Sequence, residues 1–311
     1  MRYASAPMST NPPVFERLQH RVAVPDTEIE LAVTEWCGAA GERAPLALLH
    51  HANGFCGAMW SEVVEPLLDR FRVFAIDARG HGDSSEPEGD AAYNWNLLAD
   101  DLSVVGRWIV RHAGATNISL GVGHSFGGVL TMAAAANNPD LYERAILIDP
   151  VIIPTDIAEL RARMGENPMS ERARKRRHHW DSRDAAFEFL SEKPLFAEFG
   201  ERAMRLYVDE ALREAAQGGV ELKCPGRVEG AIFGNSPNFD PYDFARRAKI
   251  PIRLVRATRG DFSRDSYERV VELLEHGELR DLEGGHLVPM EDPAAVIAEI
   301  LEFVDSSESG D

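Results

Sequence analysis

The sequence predicts an α/β fold: a mostly parallel central sheet flanked by helices, with a helical cap inserted late in the core. Three observations predict it. Short apolar runs alternate with amphipathic helical runs as far as Asp149, the pattern of repeated strand–helix–strand units. The alternation stops between Pro154 and about Phe239, where helical patterns broken by Pro168, Pro194, Gly218-Gly219 and Pro225 take over. It resumes at Ile250. The expected division is therefore a core over residues 1–153, a helical cap over 154–240, and a second part of the core over 241–311.

The elements follow in order. Residues 1–15 read as a disordered leader. Residues 18–24 and 28–36 alternate as a first hairpin. Leu46–His50 is an apolar strand and residues 51–59 the loop after it. Residues 60–68 read as a helix, 73–77 as a strand and 77–84 as a loop. Residues 96–112 place Leu97, Leu98, Leu102, Val105, Trp108 and Ile109 at helical spacing. A strand at 117–120 precedes a glycine-rich turn, and 129–136 reads as the helix leaving it. Residues 145–149 form a sixth strand. The cap helices are expected at 156–164, 183–190 and 201–216. Residues 250–257 and 279–282 are strands, 294–304 is the last helix, and the rest is a polar tail. No internal repeat is visible.

Composition narrows the function. The 311 residues carry a net charge of −18, so nucleic acid is excluded as a partner, since phosphate binding needs a basic face. Only four of the 33 basic residues are lysine, a bias towards arginine or an adaptation to salt. No apolar run approaches the ~20 residues that a membrane span requires. The N-terminus has no apolar signal core. Cys37, Cys56 and Cys224 are odd in number and scattered, with neither a disulfide framework nor zinc spacing. A cytoplasmic location and no cofactor are the expectations.

The chemistry centres on Gly121-Val122-Gly123-His124-Ser125-Phe126-Gly127-Gly128. Gly123-x-Ser125-x-Gly127 is the pattern of a nucleophile elbow, a tight strand-to-helix turn with room only for small neighbours. A serine hydroxyl is a poor nucleophile until a base takes its proton. His286, after Gly284-Gly285 near the C-terminus, is the expected base among ten histidines. Asp261, after Gly260 in the loop leaving strand 250–257, is the expected orienting acid. Asp149, at the end of the sixth strand, is its rival, and Asp265 a lesser one. All three preferred residues follow strand C-terminal ends, where open parallel sheets place their chemistry.

These features resemble the α/β-hydrolase family, in the order Ser, Asp, His. The markers are the strand ending in His50-His51, the loop Asp77-x-Arg79-Gly80-His81-Gly82-x-Ser84, the Ser125 elbow, Gly260-Asp261, and Gly285-His286 before Glu291-Asp292-Pro293. The resemblance implies an oxyanion hole of two backbone N–H groups. One is that of Phe126. The other comes from the loop His51-Ala52-Asn53-Gly54-Phe55, which departs from the usual His-Gly-x-Pro pattern. Matching His51 and Trp60 to that pattern selects Asn53; matching the glycine selects Phe55. Asn53 is the reading adopted.

The resemblance implies a serine hydrolase acting on a small acyl substrate: a carboxylic ester, thioester or lactone. Diketone hydrolysis, acyl transfer and perhydrolysis use the same triad, and ligand capture without catalysis occurs on the same fold. Serine at the elbow argues against epoxide hydrolases and haloalkane dehalogenases, which carry aspartate there. Within such a fold the Asp77–Ser84 loop is structural, pinned by Arg79 and Asp83. His50-His51 and His178-His179 lack metal-ligand spacing. The basic run Arg172, Arg174, Lys175, Arg176 and Arg177 reads either as a solvated helix face or as a collar drawing in anions. Trp60, Phe55, Trp180, Phe187, Phe189 and Phe233 are candidates for a pocket wall and equally for core.

Overall fold

The computed structural model describes residues 16–154 and 167–308. The expected leader and the cap helix at 156–164 lie outside the described residues.

Eight strands form the main sheet: β1 (Glu16–Ala23), β2 (Glu30–Cys37), β3 (Leu46–His50), β4 (Arg72–Ile76), β5 (Leu120–His124), β6 (Ala145–Ile148), β10 (Ile252–Ala257) and β11 (Gly277–Leu282). Their order is β1-β2-β4-β3-β5-β6-β10-β11. The β1–β2 and β2–β4 pairs are antiparallel, and the remaining pairs parallel. β3 lies between β4 and β5, with His50 opposite both Ile76 and Gly123. β6 lies between β5 and β10. Hence the loops after β3, β5, β6 and β10 all open at one edge.

The period-two alternation of side chains sorts the apolar residues onto two faces. Leu46, Leu48, Phe74, Ile76, Leu147 and Leu254 share one cluster with residues of α2 (Trp95–Ala113), α3 (Phe126–Asn137) and α9 (Arg264–Leu273). Ala47, Leu49, Val73, Ala75, Leu120 and Val122 pack on the other face with α1 (Ser61–Leu67) and α10 (Pro293–Glu308). On β5 the face turned to α3 carries Gly121 and Gly123. A Cβ on Gly121 would stand 3.0 Å from Thr131 Cγ2, and one on Gly123 would collide with Gly127 O. Glycine there lets the helix leave the elbow against the sheet.

The segment between β6 and β10 is not the purely helical one expected. It contains α4 (Pro168–Arg174), α5 (Arg183–Ser191), α6 (Glu201–Glu210) and α7 (Gly226–Asn235), but also an antiparallel sheet of β7 (His179–Trp180), β8 (Leu212–Glu214) and β9 (Val220–Leu222). The helix expected over 201–216 ends at Glu210, and the chain turns back through a hairpin. Gly218 and Gly219, at φ +91° and +74°, make that turn, although from sequence alone the pair suggests only a helix breaker. α8 (Pro241–Arg247) returns to the core, with Phe244 and Ala245 in the α3 cluster. Trp180, Leu190, Phe196 and Tyr207 of the insertion share a third cluster with Ala52, Phe55 and Met59 after β3 and with Leu287 and Met290 after β11. The insertion thus packs onto the loops at the functional edge.

Candidate active site

Ser125 stands between β5 and α3 at φ 58°, ψ −124°, a backbone conformation that a non-glycine residue rarely adopts. Its N–H donates to Ile148 O at 3.0 Å, and its carbonyl accepts from Gly128 N at 3.0 Å and Val151 N at 3.2 Å. A Cβ on Gly127 would fall 2.5 Å from His50 Nδ1 and His51 O, so only glycine lets the post-β3 loop reach the elbow.

Ser125 Oγ lies 2.9 Å from His286 Nε2. His286 Nδ1 lies 2.6 Å from Oδ2 of Asp149. The structure therefore corrects the expected acid: the carboxylate beside His286 belongs to Asp149, not Asp261. Asp149 is fully buried, with φ 38°, immediately after β6. Its Oδ1 accepts from Ala257 N and from Tyr267 OH, each at 2.9 Å. Asp261 is exposed, beyond a turn in which Gly260 N donates to Ala257 O at 3.1 Å. Asp265, in the first turn of α9, is exposed too.

The two expected oxyanion donors are the amides of Phe126 and Asn53. Phe126 is the first residue of α3, so its N–H has no partner within the helix and lies at the positive end of the helix dipole. In the post-β3 loop, Gly54 N donates to His81 Nε2 at 3.0 Å and Phe55 N to Ala52 O at 3.1 Å. The Phe55 amide is thereby committed to a turn. The Asn53 N–H donates to no group among the described residues.

A family model described as the alpha/beta hydrolase family matches residues 47–299. The chain belongs to the alpha/beta hydrolase family. Among curated relatives, the chain is 37% identical over 123 residues to a 2-(acetamidomethylene)succinate hydrolase of Mesorhizobium japonicum, covering 39% of this chain and 41% of that one. It is 33% identical over 114 residues to a soluble epoxide hydrolase of a Corynebacterium species, covering 36% of each. The chain thus spans about two fifths of the length of these relatives. Among solved structures, an E-2-(acetamidomethylene)succinate hydrolase superposes with a TM-score of 0.74 at 23% identity, covering 93% of this chain and all of the other. A peroxisomal α/β-hydrolase of Saccharomyces cerevisiae gives a TM-score of 0.77 at 18% identity, covering 96% and 90%. Both structural likenesses are likenesses of fold.

Other side chains of this α/β hydrolase hold the site. His124, the variable residue of the elbow motif, has Nε2 2.7 Å from the carbonyl oxygen of His286, so it donates there. Burial, then the neighbouring His286 charge, pushes its pKa down to about 3, which keeps the ring neutral. The Glu291 carboxylate accepts from Gly285 N at 2.6 Å and Leu287 N at 3.2 Å, holding the main chain on both sides of His286. Tyr267 and His124 carry no sequence signal beyond an aromatic at a helical position and a polar residue inside a known motif.

The Asp77–Ser84 loop is structural in its contacts. Asp77 accepts from Gly57 N at 2.6 Å and Asp83 N at 2.9 Å, and Arg79 grips Asp101 at 2.6 and 2.7 Å. His51 and His81 share one neutral arrangement. Each faces a carbonyl through Nδ1 and accepts a backbone N–H at Nε2: Ala78 N for His51 and Gly54 N for His81. Burial pushes both pKa values down, that of His81 to about 3.

Of the basic run, Arg174, Arg176 and Arg177 are tied to other parts of the fold. Arg174 pairs with Asp90, Lys175 with Glu171 and Arg176 with Glu229, while Arg177 lies over the Trp180 and Phe189 rings. Among the described residues, His20, Glu35 and His112 bring metal-ligand atoms within 4.8 Å of one another. Arg72 fills that spot with positive charge, 2.6 Å from Glu35 and 3.2 Å from His112. His179 donates to Gly218 O at 2.7 Å.

Proposed function

We propose that this chain is a serine hydrolase that cleaves a carboxylic ester, thioester or lactone through an acyl-enzyme. Ser125 Oγ attacks the substrate carbonyl while His286 Nε2 takes its proton. The carbonyl oxygen becomes an oxyanion, held by the Asn53 and Phe126 amides. The tetrahedral intermediate collapses, and His286 returns the proton to the leaving oxygen or sulfur. Water then attacks the acyl-serine, giving its proton to His286. Collapse releases the carboxylic acid and restores the Ser125 hydroxyl. Asp149 fixes the imidazole with its proton on Nδ1 and stabilises the imidazolium formed in each half. The insertion between β6 and β10 caps the site and selects the substrate.

The observation that carries this reading is the chain of contacts from Ser125 Oγ to His286 Nε2 at 2.9 Å and from His286 Nδ1 to Asp149 at 2.6 Å. The test is a fluorophosphonate probe followed by mass spectrometry, together with turnover of para-nitrophenyl acetate. The adduct is expected on Ser125, and Ser125→Ala is expected to lose both labelling and turnover. Labelling elsewhere, or full turnover by Ser125→Ala, overturns the mechanism.

A second substrate class draws support from the relative of Mesorhizobium japonicum. Its 37% identity over 123 residues favours an acetamido-substituted unsaturated dicarboxylate as a substrate for the same nucleophile. Acetate release from 2-(acetamidomethylene)succinate, measured beside ester turnover, separates the two.

A further inference from the structure

Because the oxyanion donors are main-chain groups, residue type in the post-β3 loop carries no information by itself. The contacts of that loop change this. Asn53 Nδ2 donates across to the carbonyl oxygen of Glu229, in α7 of the insertion, at 3.1 Å. The next residue is held from the same side. Tyr207 OH, from α6, lies 3.4 Å from Gly54 O. Arg176 reaches the Glu229 carboxylate at 2.5 Å and Tyr207 OH at 3.2 Å, in a cluster whose ion pair is only 18% and 12% exposed. Gly54, at φ +84°, lies flush against this plate: a Cβ there would meet the Glu229 carboxyl group at 3.3 Å. From the core side, Ala78 N fixes His51 and His81 takes the Gly54 N–H.

We infer that the side chain of Asn53 positions its own main-chain N–H, by tying the oxyanion loop to the Glu229 carbonyl of the insertion. This rests on the proposed function, in which that N–H receives the oxyanion. The peptide that carries the Asn53 N–H is held at its carbonyl end from the core, where Ala52 O accepts from His51 Nδ1 at 2.7 Å and from Phe55 N at 3.1 Å. Its Asn53 end is held by the Asn53 side chain, whose Nδ2 meets the insertion at Glu229 O and whose Oδ1 lies 3.2 Å from His81 Nε2. The insertion that selects substrate thereby also fixes one end of the peptide that supplies an oxyanion donor. A rigid, preorganised donor is worth more than a mobile one, because no reorganisation is required when charge develops.

The experiment compares wild type, Asn53→Ala and Asn53→Leu in the full chain. The leucine has the branched shape of asparagine with neither its NH2 donor nor a charge, and it carries the test where the alanine variant fails to fold. The readouts are kcat and KM for para-nitrophenyl acetate and the inhibition constant of a trifluoromethyl ketone, whose adduct with serine carries an oxyanion. The expected result is a fall in kcat on the order of 10²-fold, as for a small misplacement of a catalytic group. KM is expected to stay within about twofold, and the ketone to weaken by the factor lost in kcat/KM. A merely structural role would not split kcat from KM in this way. Fluorophosphonate labelling at Ser125 with kcat unchanged in the variants overturns this inference alone. No labelling at Ser125 in the wild type overturns the proposed function and this inference with it.

Discussion

Gly260 faces the carboxylate of Asp149 so closely that a methyl group on its Cα would stand 2.5 Å from Oδ2. The Gly260-Asp261 pair, read from sequence as a turn presenting Asp261, is a turn that makes room for Asp149. Both candidate acids follow ends of neighbouring strands, with Ile148 of β6 opposite Val255 of β10. Side-chain direction separates them: Asp149 turns inward to His286, and Asp261 stays in solvent.

The first prediction uses that difference. Asp149→Asn is expected to lower kcat by on the order of 10⁴, since the amide stabilises the wrong imidazole tautomer. Asp261→Asn is expected to stay near wild type. Gly260→Ala pushes a methyl group into the carboxylate and is expected to lower kcat with no change at Asp261 itself. Steady-state kinetics on the three variants checks this; a crippled Asp261→Asn beside a normal Asp149→Asn reverses the assignment.

Tyr267 supplies one of the two hydrogen bonds on Asp149 Oδ1. Tyr267→Phe leaves that buried oxygen with the Ala257 amide alone. The loss is expected to cost about 1–3 kcal/mol in stability. A smaller fall in kcat than for Asp149→Asn should accompany it. Denaturant melts and kcat measured on the same preparation check both, and an unchanged melt shows the hydroxyl to be dispensable.

His124 holds the His286 loop by its main chain. His124→Phe keeps a ring of similar size but leaves the His286 carbonyl without its donor. The expected fall in kcat is up to on the order of 10²-fold, with KM little changed. His124→Gln, which keeps an N–H donor, is expected to recover part of it. Equal kcat in His124→Phe and wild type removes the positioning role.

The sequence shows most plainly what is local. The elbow is readable because strand, glycines, serine and helix occupy consecutive positions, and His286 stands out by its glycine-rich loop after a strand. The strand before the elbow is shifted, running Leu120–His124, because glycines inside β5 look like loop when the helix they face is unseen. The acid depends on which of two parallel strand ends points inward, a property of tertiary register. The small sheet of the insertion is missed because β7, β8 and β9 are two or three residues long, too short for a period to register. The role of Asn53 depends on a partner 176 positions away.

The last prediction concerns acid. His50, His51, His81 and His124 are all buried, none more than 2% exposed. Burial pushes His50, His81 and His124 from 6.5 down to about 3, and His51 well below 6.5. Between pH 6.5 and about 3, the unfolded chain takes up protons at these four rings and the folded chain does not. Stability therefore falls as pH falls through that window, at up to about 1.4 kcal/mol per proton for each pH unit. Asp77 works the other way. Burial pushes it from 3.8 up to about 6, so the folded chain keeps a proton that the unfolded chain releases between those values. One carboxyl offsets one imidazole, which leaves a slope approaching three protons below pH 6 from these five groups. Urea denaturation at pH 7.5, 6 and 5 measures the slope, and His50→Gln is expected to lower it by about one proton. His50 suits the test because its Nε2 has no hydrogen-bond partner among the described residues. A denaturation midpoint that stays flat from pH 7.5 to 5 means that these rings titrate normally in the folded chain, and that the neutral His51 and His81 acceptors beneath the post-β3 loop are not maintained.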